Sequence, residues 1–578
     1  MCGIIGYVGA RKASEVITQG LQKLEYRGYD SVGIAVANEK GTEIKKDKGM
    51  FDEVSTSLQF TNVEGNIGLG HSRWATHGVP CRENAHPHHD CTGKIVLVHN
   101  GVIENYYDLK KELEEKGHKF NSDTDSEVIA HLIEEYKKTM SSKNSFFKAV
   151  KQLKGSYAIV ALIDGEKEIY LARKNSPLII GIGKGEMFCA SDIPAMLKYT
   201  KTFIPMEEGD LAVLSENGYR IYNENHEEVS RKSITVDWDL EMAEKGGYPH
   251  FMLKEINDQK HFLYESLSAD VSGALSLLNG HDNVDIVACG TSYHAGLILK
   301  ILLTKHLNKR ADSYIASEYS FTANPNEKTL IIAISQSGET ADTMQALKFA
   351  KKKNAKIISL TNIVGSSITR LSDEVVYLNA GPEIGVAATK TFTSQLAVIY
   401  KLVFPEKDLS EIPKIVESMI EKEGEIRELA NKIKDRQNVF FLGRGLSYPV
   451  AAEGALKFKE ISYLHAEAYP GGELKHGPLS LIEDGVPVIA LAPKDESLSK
   501  IYGNIKEVKA RGAFVVTLTS DESVKRESEF SVDIPELEEI YYPFAMIIPL
   551  QLLAYYVSNY RKINPDKPRN LAKSVTVE

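Results

Sequence analysis

A cysteine in second position, Met1-Cys2-Gly3-Ile4, could do chemistry that few other positions allow. Loss of Met1 would leave Cys2 with a thiol and a free α-amine, a nucleophile beside its own base. An α-amine titrates at roughly 7.7 to 8.0, so part of it is neutral near pH 7 and can take the thiol proton without a partner histidine. Other residues of this region could complete a site. Arg73, in a turn-rich stretch with Trp74, could grip a carboxylate through two parallel hydrogen bonds. Asn100 and Gly101 follow an apolar strand at 94–98 and could offer a side-chain amide and a backbone N–H to an oxyanion. Asp125, at a helix start, could receive an ammonium group. Together these residues describe a pocket for a zwitterionic amino acid beside a thiol.

A second set lies further on. The apolar strand at 330–334 runs into Ser335-Gln336-Ser337-Gly338-Glu339-Thr340, and a helix follows. Hydroxyls and backbone N–H groups at a helix start converge on one spot, where the helix dipole favours an anion such as phosphate. Thr291 and Ser292 supply a second hydroxyl turn after an earlier strand. In Glu453-Gly454-Ala455-Leu456-Lys457-Phe458-Lys459-Glu460, spacings of four and three put Glu453, Lys457 and Glu460 along one helix face. His476 sits between glycine-bearing turns, where it can be positioned for proton transfer. The residues at 568–578 are too apolar for a frayed tail, and Lys573 in a docked tail could lose its proton and form a Schiff base with a sugar carbonyl.

The elements that must hold these groups change character along the chain. Up to about residue 235 short alternating strands, such as 94–98, 158–162 and 168–172, mix with helices predicted at 106–116 and 125–138. From about 270 the pattern becomes strand, Gly/Ser turn and amphipathic helix, which predicts a parallel sheet with helices on both faces. The second regime repeats itself: 283–293 aligns without gaps with 438–448, and 355–361 with 513–519. The segment equivalent to Ser335 in the second copy, 492–497, carries carboxylates and a proline, so one phosphate site per chain is expected, in the first copy.

The 578 residues exceed what one hydrophobic core serves. A net charge of −10 argues against nucleic acid or an anionic membrane as partner, since either needs a clustered positive surface. Five scattered cysteines fit a reducing cytoplasm rather than a disulfide framework. The uncharged stretch 540–560 contains Pro543, Pro549 and Gln551 and is expected to be a buried helix or subunit contact rather than a membrane span. Cys81, His86, His88, His89 and Cys91 crowd into eleven positions, but their spacing matches no common zinc pattern, and no metal is expected.

With these residues in view, the chain resembles the family of isomerising glutamine:fructose-6-phosphate aminotransferases. The likeness rests on Cys2-Gly3-Ile4, Tyr26-Arg27-Gly28-Tyr29-Asp30-Ser31, residues 71–78, Asn84-Ala85-His86-Pro87-His88, His99-Asn100-Gly101, residues 335–340, 453–460, His476 and the tail ending at Glu578. It implies an α+β N-terminal-nucleophile domain of the class II glutamine amidotransferase kind at 2–217, followed by two α/β parallel-sheet sugar isomerase domains in tandem. A linker at 218–272, isomerase domains at 273–413 and 429–568, and an active-site tail at 569–578 complete this layout. It further implies L-glutamine and D-fructose 6-phosphate as substrates, no cofactor, a homodimer, and entry into amino-sugar synthesis.

By resemblance, Arg73, Trp74, Thr76, His77, His86 and Asp125 surround glutamine, with Trp74 gating an ammonia path, and Asn100 with Gly101 hold the oxyanion. Thr291, Ser292, Ser335, Gln336, Ser337, Thr340, Val386 and Ala572 would bind the sugar phosphate. His476 from the other subunit would open the ring, Lys573 would form the imine, and Glu460, with Lys457 nearby, would move the proton between C1 and C2. Cys81 and Cys91 lie outside the family motifs. Two other readings remain: a different class II glutamine amidotransferase, whose ATP-pyrophosphatase or phosphoribosyl-pyrophosphate loop is missing here, and a sugar-phosphate sensor with a degenerate site.

Overall fold

The computed structural model describes residues 2–74, 77–236 and 245–575, and the chain separates into two compact units. One holds residues up to 243, together with 365–367 and the tail from 572; the other holds 244–364 and 368–571.

In the amino-terminal unit two antiparallel sheets stack face to face. Among the described residues one has eight strands, in the order Ile234–Thr235, Thr202–Pro205, Ile179–Ile182, Glu186–Ala190, Gly3–Gly9, Ile67–Arg73, Ser31–Asn38 and Gly41–Lys48. The other has seven, with Gly155–Ile163 and Ile95–Ile103 near one edge. Period-two alternation decides which side chains meet. Ile4 and Val8 from the first sheet pack against Val96, Val98 and Val160 from the second, whereas Ile5 and Tyr7 face outward under the helix Ala13–Leu24. Leu97, Ile159 and Ala161 face outward under the helices Tyr106–Glu115, Glu127–Lys137 and Ser142–Gln152. The result is four layers, helix, sheet, sheet and helix.

Three structural details differ from the sequence reading. Asn100 and Gly101 lie inside the strand Ile95–Ile103, not after its end, and Asp125 precedes the helix Glu127–Lys137 by two residues. Arg73 is the last residue of a strand rather than part of a turn.

The second unit contains the sequence repeat as a structural one. Among the described residues each copy has a five-stranded parallel sheet of identical order. In the first, Arg310–Ile315, Asn283–Ala288, Thr329–Ile334, Lys356–Thr361 and Glu374–Tyr377 lie side by side. In the second, the order is His465–Pro470, Asn438–Gly443, Pro487–Leu491, Phe514–Thr519 and Phe530–Asp533. Their central strands, Thr329–Ile334 and Pro487–Leu491, are buried throughout and apolar but for Thr329, because helices cover both faces. One continuous core joins the copies, running from Ile286 and Leu299 to Phe441 and Leu550. The helix Tyr542–Tyr560 carries apolar residues on every side and is buried in that core from Tyr542 to Ser558, with Gln551 paired to Gln259 at 2.8 Å.

Candidate active site

Cys2 immediately precedes the strand Gly3–Gly9, central in the eight-stranded sheet, and the register of that strand with Ile67–Arg73, Gly3 opposite Ser72, brings it to the end of the neighbouring strand. The Trp74 N–H donates to Cys2 Sγ at 3.2 Å, and the thiol lies 3.4 Å from the Trp74 carbonyl oxygen. Burial pushes the thiol pKa up, while the N-terminal charge, the Trp74 N–H and Arg73 pull it down.

A cavity of about 210 Å³ beside Cys2 is lined by Arg73, Trp74, His77, His86, Asn100, Gly101 and Asp125, so every described glutamine-site residue inferred from the sequence is in one place. Thr76 lies outside the described residues. Arg73 is 3% exposed; its Nη2 donates to the carbonyls of His77 and Gly78, while its buried Nη1 has no hydrogen-bond partner among the described residues. An open donor on a buried guanidinium is costly unless a ligand accepts from it. Asp125 Oδ2 accepts from the Ile103 N–H at 2.7 Å, which fixes the carboxylate across the same cavity.

Asn100 Nδ2 donates to the Cys2 carbonyl at 2.9 Å, and its Oδ1 lies 3.0 Å from His71 Nε2. His71 Nε2 is also 3.1 Å from the His99 carbonyl, so its two acceptors require the proton on Nε2. Burial lowers His71 to about 3, keeping it neutral and able to fix the amide with its NH2 group towards Cys2. Gly101 has φ +123° inside its strand, and a Cβ there would sit 2.1 Å from the Ser156 carbonyl oxygen, so only glycine fits. His86 stacks on His71 with ring centroids 4.1 Å apart and accepts from the His99 N–H at 3.3 Å.

Sequence reasoning overlooked the supporting groups. Arg27 donates from Nε to the Cys2 carbonyl at 3.3 Å and pairs with Asp192 at 3.1 Å; its signal was the Tyr26-Arg27-Gly28 string. His71 and His99 fall in the motifs at 71–78 and 99–101 that carry the resemblance, but their supporting roles show only in the fold, because their partners are far away in sequence. Ser574 and Val575 from the tail also line the cavity.

In the second unit, the loop after Thr329–Ile334 turns at Gly338, φ +63°, into the helix Ala341–Lys352. Ser335 Oγ accepts from the Gly338 N–H at 3.1 Å and lies 3.1 Å from Thr340 Oγ1; Ser337 Oγ accepts from the Glu339 N–H at 3.2 Å. The Gln336 carbonyl accepts from the Asn362 N–H. Ser292 Oγ accepts from Gln395 Nε2 at 2.9 Å.

Thr291 belongs with a different group. Its hydroxyl donates to Glu453 Oε1 at 2.9 Å and lies 3.1 Å from Lys457 Nζ, so it joins the first repeat to the charged face of the second. Lys457 Nζ is 2.6 Å from Glu460 and 3.3 Å from Glu453, and His294 Nδ1 is 2.8 Å from Glu453 Oε2. Glu453 and Lys457 are fully buried. Burial alone would neutralise both, but their mutual attraction and Glu460 overbalance it: Glu453 is held below and Lys457 above its ordinary range. Glu460 remains part-exposed at the end of this chain of charges. His294, three residues from Thr291 on one helix face, is a member that the sequence reading missed.

His476 ends a short 3-10 turn, Gly471–His476, and is exposed. Val386 is half-buried in the loop before the helix Lys390–Val403. Ala572 and Lys573 are half-buried and fall in the amino-terminal unit.

Comparison with known proteins fits both units. A glutamine amidotransferase domain model matches residues 71–198, and an SIS domain model matches 277–404 and again 432–559. Glutamine--fructose-6-phosphate aminotransferases [isomerizing] of Pyrococcus horikoshii and Thermococcus kodakarensis are 49% and 48% identical to it, over all of both chains. The chain belongs to this aminotransferase family. A further member, from Aquifex aeolicus, is 45% identical over the full length of both. A solved C-terminal domain of glucosamine-fructose-6-phosphate aminotransferase from Francisella tularensis superposes with a TM-score of 0.53 at 38% identity, covering 56% of this chain and 99% of that one. Membership of the aminotransferase family accounts for both halves of the fold, the amidotransferase sandwich and the tandem isomerase sheets.

The histidines crowded between Cys81 and Cys91 do not converge with the cysteines on one centre. His86 lines the cavity beside Cys2 and packs edge-on against His88, with ring centroids 4.4 Å apart, His88 contacts Thr124 Oγ1 at 3.1 Å, and Cys91 meets His118 and His131 instead.

Proposed function

We propose that this chain hydrolyses glutamine at Cys2 and uses the ammonia to convert D-fructose 6-phosphate into D-glucosamine 6-phosphate. The observation that carries the reading is the cavity in which a nucleophilic thiol, an open buried guanidinium and a fixed carboxylate face one another. Arg73 takes the α-carboxylate of glutamine and Asp125 its ammonium group. Cys2 Sγ attacks the side-chain amide carbon, and its own α-amine, freed by removal of Met1, takes the thiol proton and passes it to the departing ammonia. Asn100 Nδ2 and the Gly101 N–H stabilise the oxyanion. Water then cleaves the thioester to give glutamate.

The sugar phosphate rests on Ser292 and on the loop carrying Ser335, Gln336, Ser337 and Thr340. His476 of a second subunit opens the ring, and Lys573 condenses with the C2 carbonyl, releasing water. Ammonia displaces the lysine, Glu460 carries a proton from C1 to C2, and the O1 hydroxyl proton passes to the imine nitrogen, leaving the C1 aldehyde and C2 amine of the amino sugar. Lys457 holds Glu460 in place through its 2.6 Å ion pair. Ammonia exposed to water near pH 7 becomes ammonium and stops being a nucleophile, so the transfer needs a path that excludes water. The relatives named for this reaction match the chain from end to end, which supports the whole sequence of steps over a lone glutaminase or a sensor. A cytoplasmic location fits five unpaired cysteines.

The test is incubation with glutamine and fructose 6-phosphate, without ATP, and identification of the amino sugar by mass spectrometry. Cys2→Ala should lower glutamine-dependent synthesis by about 10³-fold or more while fructose 6-phosphate still binds. Unchanged glutamine use by that variant would refute the reading, as would an active wild-type chain whose intact mass still includes Met1.

A further inference from the structure

We propose that Cys91, His118, His131 and Glu134 form a structural zinc site in the amino-terminal unit. The four residues come from three segments: the loop after the strand His88–His89, the loop after the helix Tyr106–Glu115, and one face of the helix Glu127–Lys137, where spacing of three aligns His131 with Glu134. Each offers one ligand atom, and all four atoms lie within 4.8 Å of one another. No other group of this kind is found among the described residues.

Five of the six edges of the polyhedron lie near those around a tetrahedral ion. Zn–N near 2.0–2.1 Å and Zn–S near 2.3 Å put ligand nitrogens about 3.3 Å apart and sulfur about 3.6 Å from nitrogen. Here the two Nδ1 atoms are 3.3 Å apart, and Cys91 Sγ is 3.6 Å from His131 Nδ1 and 3.8 Å from His118 Nδ1. Glu134 Oε2 is 2.9 Å and 3.3 Å from the two nitrogens.

Proton accounting points the same way. His118 Nε2 is 3.1 Å from Glu135 Oε2, which holds a proton there, and Glu127 Oε1 lies 3.5 Å from His131 Nε2, beyond a hydrogen bond but near enough for its charge to favour a proton on that nitrogen. That leaves both Nδ1 lone pairs aimed at each other and at a carboxylate oxygen. Protonating both rings instead sets two N–H groups head to head in a site where His131 is fully buried and His118 is 6% exposed. One proton serves one of these contacts and leaves the other lone pairs converging. One divalent cation serves all four ligands, and a carboxylate behind each ligating histidine is the usual support of such a site. One thiolate, two imidazoles and one carboxylate suit zinc, and four protein ligands leave no open position, as in a structural centre. Cys91 is exposed, which gives the ion an entry path. Residues 124–126, which line the glutamine cavity, lead directly into the helix that this ion would anchor.

The experiment uses untagged full-length protein grown with zinc, passed through gel filtration and assayed for metal by plasma mass spectrometry. Wild type should retain about one zinc ion per chain, and Cys91→Ser/Glu134→Gln should retain at least about tenfold less. A wild type free of zinc, or a variant that keeps as much as wild type, would overturn the proposal. Should the double variant fail to fold, cobalt exchanged into wild type and into Cys91→Ser decides: a sulfur-to-cobalt charge-transfer band in the first and none in the second is expected. Its absence from wild type, or its persistence in Cys91→Ser, refutes the site. These readouts do not depend on amino-sugar synthesis.

Discussion

In the first repeat the helix Gly290–Leu307 buries Ile298 and Leu302 completely; at the aligned positions of the second, the helix Ser447–Ser462 buries Glu453 and Lys457 just as completely. The loops after Thr329–Ile334 and after Pro487–Leu491 differ in the opposite sense. In the first, hydroxyls of Ser335, Ser337 and Thr340 surround a helix start, whereas in the second Asp495 accepts from the Ser497 N–H at 2.8 Å and fills the equivalent place with the chain's own carboxylate. On the proposed reading one copy receives an anion and the other moves protons. Burying two aliphatic side chains is worth about 1.5–3 kcal/mol each, while a buried ion pair returns little net stability once both ions are desolvated. The second repeat therefore gives up packing energy for a charged relay, which Thr291 and His294 of the first repeat hold in place.

The sharpest way to break this division is to neutralise the relay at its exposed end. Glu460→Gln should lower amino-sugar formation by about 10²–10⁴-fold with glutamine hydrolysis retained, as expected for loss of a proton carrier. Its aligned partner in the first repeat, Lys305, bonds only surface carboxylates, and Lys305→Ala should leave synthesis unchanged in the same assay.

Next in size is the buried pair. Lys457→Met leaves Glu453 as an uncompensated buried charge and should cost about 3–5 kcal/mol in urea unfolding. Glu453→Ile/Lys457→Leu copies the first repeat and should recover most of that loss while remaining inactive. The two forms should also differ with pH. A carboxyl lowered by folding, as Glu453 is, adds stability above its unfolded value of about 4.3 and loses it as pH falls through the folded value. An ammonium raised by folding, as Lys457 is, adds stability below about 10.4 and loses it as pH rises through its folded value. Wild type should therefore weaken at both extremes relative to the double variant; parallel stability curves would contradict the buried-relay description.

The smallest effect sharpens the loop comparison. Ser335→Ala should raise KM for fructose 6-phosphate by about tenfold, the loss of one hydrogen bond to a charged group, with kcat little changed. Ser497→Ala in the second repeat should leave KM as it was.

Local pattern made much of this legible. The strand-turn-helix texture, the ungapped repeat and the i, i+4 spacing of Glu453 and Lys457 all depend on neighbours in the chain, and the parallel sheets, the repeated strand order and the charged helix face follow them. The same locality misled where a boundary was set by pairing: Asn100 and Gly101 continue a strand because Ala158 and Tyr157 pair with them, which no residue at 94–98 announces. It misled again at Cys91, grouped with histidines close by in sequence, although the fold carries it to His118 and His131, 27 and 40 positions away.

The sequence by itself determined the chemistry available, a thiol near the start, hydroxyls at a helix start, and carboxylates and a lysine on one face, because residue type and helical or strand period are local properties. Only the tertiary structure decided which groups act together. The proton on His71, the pairing of Thr291 with Glu453 and the four converging ligands around Cys91 each depend on side chains that strand pairing and helix packing bring within 4 Å across long stretches of chain.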